Sequence, residues 1–225
     1  TSLSAEAVDR LVEAARGKQL LLTDLLRGVD PFPALAADDV VVLDTETTGL
    51  DPMVAELCGF SLAVDDNEAC YVPIGHREGG SAAGGDLFAP EAKLCKDQIP
   101  EDAALKEIKA LLEHPGVLKI AQNLKYDWQI FKRRGIDVQP YDDTMLMSYV
   151  LDAGRNGHGL EELSELHLGH KPAAVVDLTG KGREKISFEQ VAVAEAARYA
   201  AERADIALRL SLLLKPRLAA ERRTT

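Results

Sequence analysis

Apolar and β-branched residues gather early in the chain in three runs, Val40 to Leu43, Leu57 to Val64 and Cys70 to Ile74, separated by turn-rich pieces. Runs of this length and composition predict three consecutive strands at the start of a sheet. Before them, Ser4 to Leu26 reads as one or two amphipathic helices, with Ser4 as candidate N-cap and Leu11, Ala14, Ala15 and Leu20 to Leu22 on spaced apolar faces. Pro31-Phe32-Pro33 breaks that pattern and sets off residues 1–37 as an N-terminal helical or linker segment. After the strands the period changes. Ala103 to Glu113 has helical spacing and stops before Pro115, Val117 to Ala121 is a short apolar strand, and Leu124 to Arg134 is a helix ended by Gly135. Thr144 to Leu151 and Gly159 to Leu168 are further helices, Lys171 to Ile186 is irregular, and Glu189 to Leu214 is helical up to Pro216. His76 to Gly85, rich in Gly, Ser and Ala, reads as a flexible loop with no packing signal. Strand and helix alternate, so the fold class is α/β, with one domain over residues 38–216 and a linker over 217–225.

Composition narrows the picture only slightly. With 46% hydrophobic and 28% charged residues the chain can bury one sizeable core. No stretch approaches the roughly 20 apolar residues of a membrane span, and no basic-then-apolar leader opens the chain. A soluble fragment of a longer cytoplasmic protein, with no membrane partner, is therefore expected. Three cysteines, Cys58, Cys70 and Cys95, without C-x-x-C spacing, argue for reduced thiols over a disulfide framework or zinc cluster. A net charge of -11 speaks mildly against a nucleic-acid partner. That inference weakens if cations mediate the phosphate contacts, because such a site is itself acidic.

Chemistry concentrates in three segments. Val41-Val42-Leu43 runs straight into Asp44-Thr45-Glu46, and carboxylates at i and i+2 of a strand share one face. A hard divalent cation takes oxygen ligands converging from one side, so this pair is a natural half-site for Mg²⁺ or Mn²⁺; alternatively, the two acids only terminate a strand. Asp127 lies in Gln122-Asn123-Leu124-Lys125-Tyr126-Asp127, one turn into a helix at the mouth of the sheet, where α/β folds place ligands. Its plainer reading is a solvated first-turn acid behind an Asn123 N-cap. Tyr199 stands on the last long helix and shares its face with Glu202 and Arg203, whereas Asp205 lies about 240° around the helix and points elsewhere. His167-x-x-His170 has a metal-compatible spacing without supporting ligands, and Gly180-Lys181-Gly182 lacks the form of a phosphate loop.

Taken together, Asp44-Thr45-Glu46-Thr47-Thr48-Gly49-Leu50, Gln122 to Asp127 and Tyr199-Ala200-Ala201-Glu202 resemble the three motifs of the DEDD exonucleases, tyrosine subtype, as found in family A DNA polymerases. Tyr71-Val72-Pro73-Ile74, Asp143-Thr144-Met145-Leu146 and Gly180-Lys181-Gly182 extend the resemblance over roughly Asp38 to Pro216. It implies a ribonuclease H-like mixed sheet flanked by helices, and a proofreading 3'-5' exonuclease acting on a single-stranded DNA 3' end. It further implies two divalent ions, Mg²⁺ or Mn²⁺, roughly 4 Å apart. By motif position Asp44 would bridge both ions, Glu46 would hold the water-activating one and Asp127 the other. Tyr199 would position the attacking water, Leu50 would pack on the terminal base, and Asn123 and Lys125 would contact the strand. A polymerase domain in the same full-length chain, beyond Thr225, is the implied partner.

One position departs from the pattern. The fourth acid of the family stands four residues after the tyrosine, where this chain has Arg203. That replaces a carboxylate by a permanent cation, and Arg203 could fork onto Asp44 or Glu46 in place of the missing ion. Glu202, by a small helix rotation, or Asp205, by a larger one, are the conceivable substitutes. The competing functions are thus an active exonuclease, a degenerate domain that braces a polymerase or binds single-stranded DNA, and a metal-binding α/β protein of another kind.

Overall fold

The computed structural model describes residues 39–78, 92–96, 98–182 and 185–221, so the helices expected in the first 37 residues lie outside the described part, as does most of the Gly-rich loop. Three strands come first, β1 (Asp39–Thr47), β2 (Leu57–Asp65) and β3 (Glu68–Pro73). Two short strands, β4 (Arg77–Glu78) and β5 (Lys93–Leu94), pair with one another. There follow α1 (Glu101–Leu112), β6 (Val117–Ala121), α2 (Leu124–Lys132) and β7 (Tyr141–Asp143). The chain closes with α3 (Thr144–Asp152), α4 (Leu160–Leu168), α5 (Val175–Thr179), a 3₁₀ turn (Phe188–Gln190) and the long α6 (Val193–Ala220).

The main sheet has the order β3-β2-β1-β6-β7, antiparallel over its first three strands and parallel from β1 to β7. The expected α/β architecture of a mixed sheet flanked by helices is therefore present. β1 is central, and its alternation sorts the layers. Val41 and Leu43 pack with Ile108, Leu111, Ile130 and Phe131 from α1 and α2. Val42 points the other way, into a cluster with Met147 and Leu163 and with Ala204, Leu208 and Leu210 of α6. Asp44 and Glu46 continue the Val42 face, so strand geometry alone aims them at α6.

Two polar devices hold the frame. Lys119 is fully buried in β6, and its Nζ donates to the carbonyls of His114 (2.8 Å), Val117 (2.7 Å) and Gln139. No carboxylate is needed there, because three carbonyl acceptors satisfy all three protons of the ammonium. Asp143, at the end of β7, caps two helices with one carboxylate. It accepts from the backbone N–H of Met145 (2.9 Å) and Leu146 (3.3 Å) at the start of α3, and of Asn123 (3.1 Å) and Leu124 (2.9 Å) at the start of α2.

That second cap corrects the reading of Asn123. It does occupy the N-cap position of α2, but in left-handed backbone (φ 63°), and its side chain makes no capping bond. Two further corrections concern the C-terminal third. Val175–Thr179 is helical within the stretch read as irregular. Pro216 does not end the last helix, which runs on to Ala220 through part of the expected linker. Proline costs that helix one backbone bond. Arg217, bonded to Asp152 at 3.0 Å, and Leu218, packed on the core, tie the following turn down.

Asp143→Ala is expected to lower the free energy of unfolding by about 2 to 4 kcal/mol, roughly the loss of two helix caps. Asp143→Asn, which keeps one acceptor oxygen, should cost less. Urea titration of the three proteins measures both, and an alanine variant as stable as the parent would contradict the double cap.

Candidate active site

β1, α2, α4 and α6 bring the site together at the C-terminal end of the central strand. Asp44 retains 14% of its side-chain exposure, and Glu46 and Asp127 are buried. Asp127 is thus not a solvated first-turn acid. Thr45, on the opposite face of β1 from its two acidic neighbours, donates to Asp127 Oδ1 at 2.5 Å and so joins α2 to the strand. Tyr199 is buried as well, its ring packed against Phe188 with centroids 5.9 Å apart. Phe188 leans in turn on His76, which is fully buried, bonded through Nε2 to the Tyr71 hydroxyl (2.8 Å) and through Nδ1 to the Val191 carbonyl (3.1 Å). The start of the segment read as a loop without packing is therefore part of the wall behind Tyr199.

Arg203 reaches into this acid cluster. Its Nε donates to Asp44 Oδ2 at 3.1 Å and its Nη1 to Glu161 Oε1 at 2.9 Å, with the Tyr199 hydroxyl 3.4 Å from Nη1. The guanidinium carbon lies 5.5 Å from the Tyr199 ring centroid, within cation–π range. Of the two acids expected to receive a fork from Arg203, Asp44 is engaged, but through Nε alone, the Nη1 group going to Glu161. Glu202 is turned away, accepting from the Ala173 N–H (3.1 Å) and paired with His170 Nε2 (2.8 Å). Asp205 also faces elsewhere, as its helical angle implied, bonded to the Asn67 N–H and paired with Arg209. Neither conceivable substitute for the fourth acid is in the cluster.

The electrostatics follow from burial of like charges. Burial raises the Asp44 carboxyl above its ordinary value, against the opposing pull of Arg203. Glu46 is pushed up further, by burial first and then by Asp44, with Arg203 again opposing. Asp127 is raised by burial and by Asp44, and the bond from Thr45 opposes that rise. Burial disfavours the charge on Arg203, but Asp44, Tyr199, Glu46 and Glu161 together outweigh it and hold the guanidinium more firmly protonated than usual. Burial likewise raises the Tyr199 phenol.

Whether these residues fit a divalent ion has a divided answer. Their chemistry does: three carboxylates lie near enough to raise one another's proton affinity, and Glu46 Oε1 is buried without a hydrogen-bond partner. Their arrangement does not. The Arg203 guanidinium already engages Asp44, and among the described residues no group of three or more His, Cys, Asp and Glu side chains is placed to hold a metal ion, His167 and His170 included.

Around the acids stand the residues read as strand contacts. Leu50 is 95% exposed at the tip of the turn after β1, and Asn123 and Lys125 are exposed at the start of α2. The Tyr126 hydroxyl donates to the Gly49 carbonyl at 2.5 Å and bonds Thr47 Oγ1 at 2.5 Å, fixing the turn that carries Leu50. A cavity of about 530 Å³ beside this turn, lined by Thr48, Arg77, Gln98 and Glu189 among others, contains none of the acids. Glu161 and Thr45 were not singled out from the sequence. The only local signal for Glu161 was an acid in the first turn of a helix, a common feature with a common dipole explanation.

Comparison with known proteins matches this geometry to a family. A sequence model of the 3'-5' exonuclease family fits residues 29–219. DNA polymerase I of Rhizobium leguminosarum is 51% identical over 193 residues, 82% of this chain and 18% of that protein. DNA polymerase I of Pseudomonas aeruginosa is 37% identical over 185 residues, 81% of this chain and 19% of that protein. The chain spans under a fifth of the length of the curated relatives it matches. Among solved structures, NrnC of Brucella melitensis with bound Mg²⁺ superposes with a TM-score of 0.58 at 23% identity, covering 83% of this chain and 77% of that one. Escherichia coli RNase D, an exoribonuclease, gives 0.55 at 16%, covering 97% and 44%. At these identities the likeness concerns the fold, which is ribonuclease H-like.

Because Glu46 is held above its ordinary value of 4.5, the folded protein binds more protons than the unfolded chain above that pH, and stability falls as pH rises. Glu46→Gln is therefore expected to stabilise the fold by about 1 to 3 kcal/mol near pH 8 and to give no gain near pH 4. Urea unfolding at the two pH values measures this, and an equal effect at both would contradict a strained Glu46 carboxylate.

Proposed function

The chain belongs to the 3'-5' exonuclease family as the exonuclease domain of a DNA polymerase I, and from that premise we propose a proofreading-type nuclease whose hydrolysis is held back by Arg203. The observation that carries this reading is the 3.1 Å bond from Arg203 Nε to Asp44 Oδ2. A guanidinium on Asp44 does two things at once. It supplies the positive charge that two buried acids demand, and it occupies the volume in which a hard cation would meet the same oxygens.

In this reading Asp44, Glu46 and Asp127 are the carboxylates of the hydrolytic site and Tyr199 orients the attacking water. With the guanidinium off Asp44, these three carboxylates would hold the family's divalent ions, Mg²⁺ or Mn²⁺, which would supply the activation of water. The substrate is the 3' end of a single DNA strand. Leu50, exposed on a turn braced by Tyr126, packs on the terminal base, and Asn123 and Lys125 contact the strand behind it. An acidic chain can take this substrate because its exposed lysines and arginines act locally, whatever the net charge. The remainder of the full-length protein, a polymerase following residue 225, is part of the same proposal. It rests on the short share of each relative that the chain spans.

The test is degradation of a 3'-labelled single strand in Mg²⁺ or Mn²⁺ by the chain and by Arg203→Asp. The substituted protein is expected to digest DNA at least about tenfold faster, an effect of 1.4 kcal/mol or more on the barrier. Equal, rapid digestion by both would remove Arg203 from the account. Two inactive proteins would instead favour a degenerate domain that braces the polymerase.

A further inference from the structure

Arg203 has two carboxylate anchors beside its contact with Tyr199, and only one of the two is a motif acid. Nε engages Asp44 on the inner side, while Nη1 engages Glu161 across the α4–α6 contact on the outer side, where the Glu161 side chain is 53% exposed. The two acids grip different edges of one planar guanidinium, which fixes its orientation as well as its position. Without Glu161 the Nη1 group would keep only the 3.4 Å contact with the Tyr199 hydroxyl, a weak hold on a long, rotamer-rich side chain.

The neighbouring acids are committed elsewhere. Glu162, next in sequence, accepts from the Gly157 N–H at 2.8 Å, and Glu202 is bound to His170 and Ala173. Glu161 and Asp44 are the carboxylates that meet Arg203 among the described residues. α4 presents Glu161 from its first turn, so the acid reaches the site from a rigid element while keeping its own oxygens near solvent.

We infer that Glu161 is a latch: it is a positioning residue that holds Arg203 on Asp44 and thereby keeps cations out of the acid cluster. The inference rests on the attenuating role of Arg203 and adds what enforces it. Glu161 acts through the arginine and is not a ligand of the site. Loosening it frees the guanidinium to leave Asp44, and the fold should not suffer because Glu161 is half exposed.

Two measurements test the latch. The first needs no metal: solvent exchange of the Arg203 Nε–H, followed by NMR in the unmodified chain and in Glu161→Gln. Loss of one anchor should speed exchange about three- to tenfold. The second is Mn²⁺ binding followed by electron paramagnetic resonance in Glu161→Gln, Arg203→Ala and the double variant. Glu161→Gln should tighten Mn²⁺ about three- to tenfold when Arg203 is present and not at all when it is absent. Unchanged Nε–H exchange in Glu161→Gln overturns the latch whatever the nuclease assays give. Weaker Mn²⁺ binding in both backgrounds also overturns it, by making Glu161 a ligand. Failure of Arg203→Ala alone to tighten Mn²⁺ counts against the attenuation reading, and the exchange measurement still judges the latch.

Discussion

A carboxylate removed from water must be protonated, hydrogen-bonded or paired with a cation, and this fold buries three of them at the end of one strand. The surroundings of the site answer that demand in part. Thr45 serves Asp127 and Arg203 serves Asp44, while one oxygen of Glu46 is left with no partner. The exonuclease family meets the same demand with divalent ions. In this chain Arg203 sets a covalently attached cation beside Asp44.

The frame tolerates such a site because its precision comes from elsewhere. Asp143 fixes the starts of α2 and α3 with a single carboxylate, and Lys119 ties the loop before β6 to the segment entering β7. Asp127 and the exposed Asn123 and Lys125 inherit their positions from that doubly capped corner. Behind α6, the sequence Tyr71, His76, Phe188 and Tyr199 forms a continuous aromatic wall. Neither support runs through Asp44, Glu46 or Asp127, so the architecture does not rest on how those three acids are paired.

Arg203 also sets the surroundings of its neighbours. The Tyr199 ring has a guanidinium at cation–π distance, and its hydroxyl has a donor beside it. Glu161 is the outer partner of the cluster. In a crowded electrostatic site one charged side chain acts through each neighbour that it meets.

By itself the sequence determined β1, β2, β3 and β6, the principal helices and the α/β class, and resemblance marked the three acidic or aromatic motifs; the short β4, β5 and β7 carry no such signal. The elements depend on short-range periodicity: alternation sends Asp44 and Glu46 to one face, and helical angle separates Asp205 from Arg203. It also placed the anomaly at Arg203, since motif spacing is a property of the chain. Tertiary structure alone decided which groups Arg203 meets. The partner of Arg203 is 159 residues away in Asp44 and 42 residues away in Glu161, and no periodicity links positions on separate elements. The same holds for Asp143 capping a helix 19 residues earlier, where Asn123 looked locally sufficient, and for the last helix passing Pro216, held by Arg217 on Asp152. Local rules describe how a segment prefers to fold, whereas burial and pairing across the sheet choose which preferences survive.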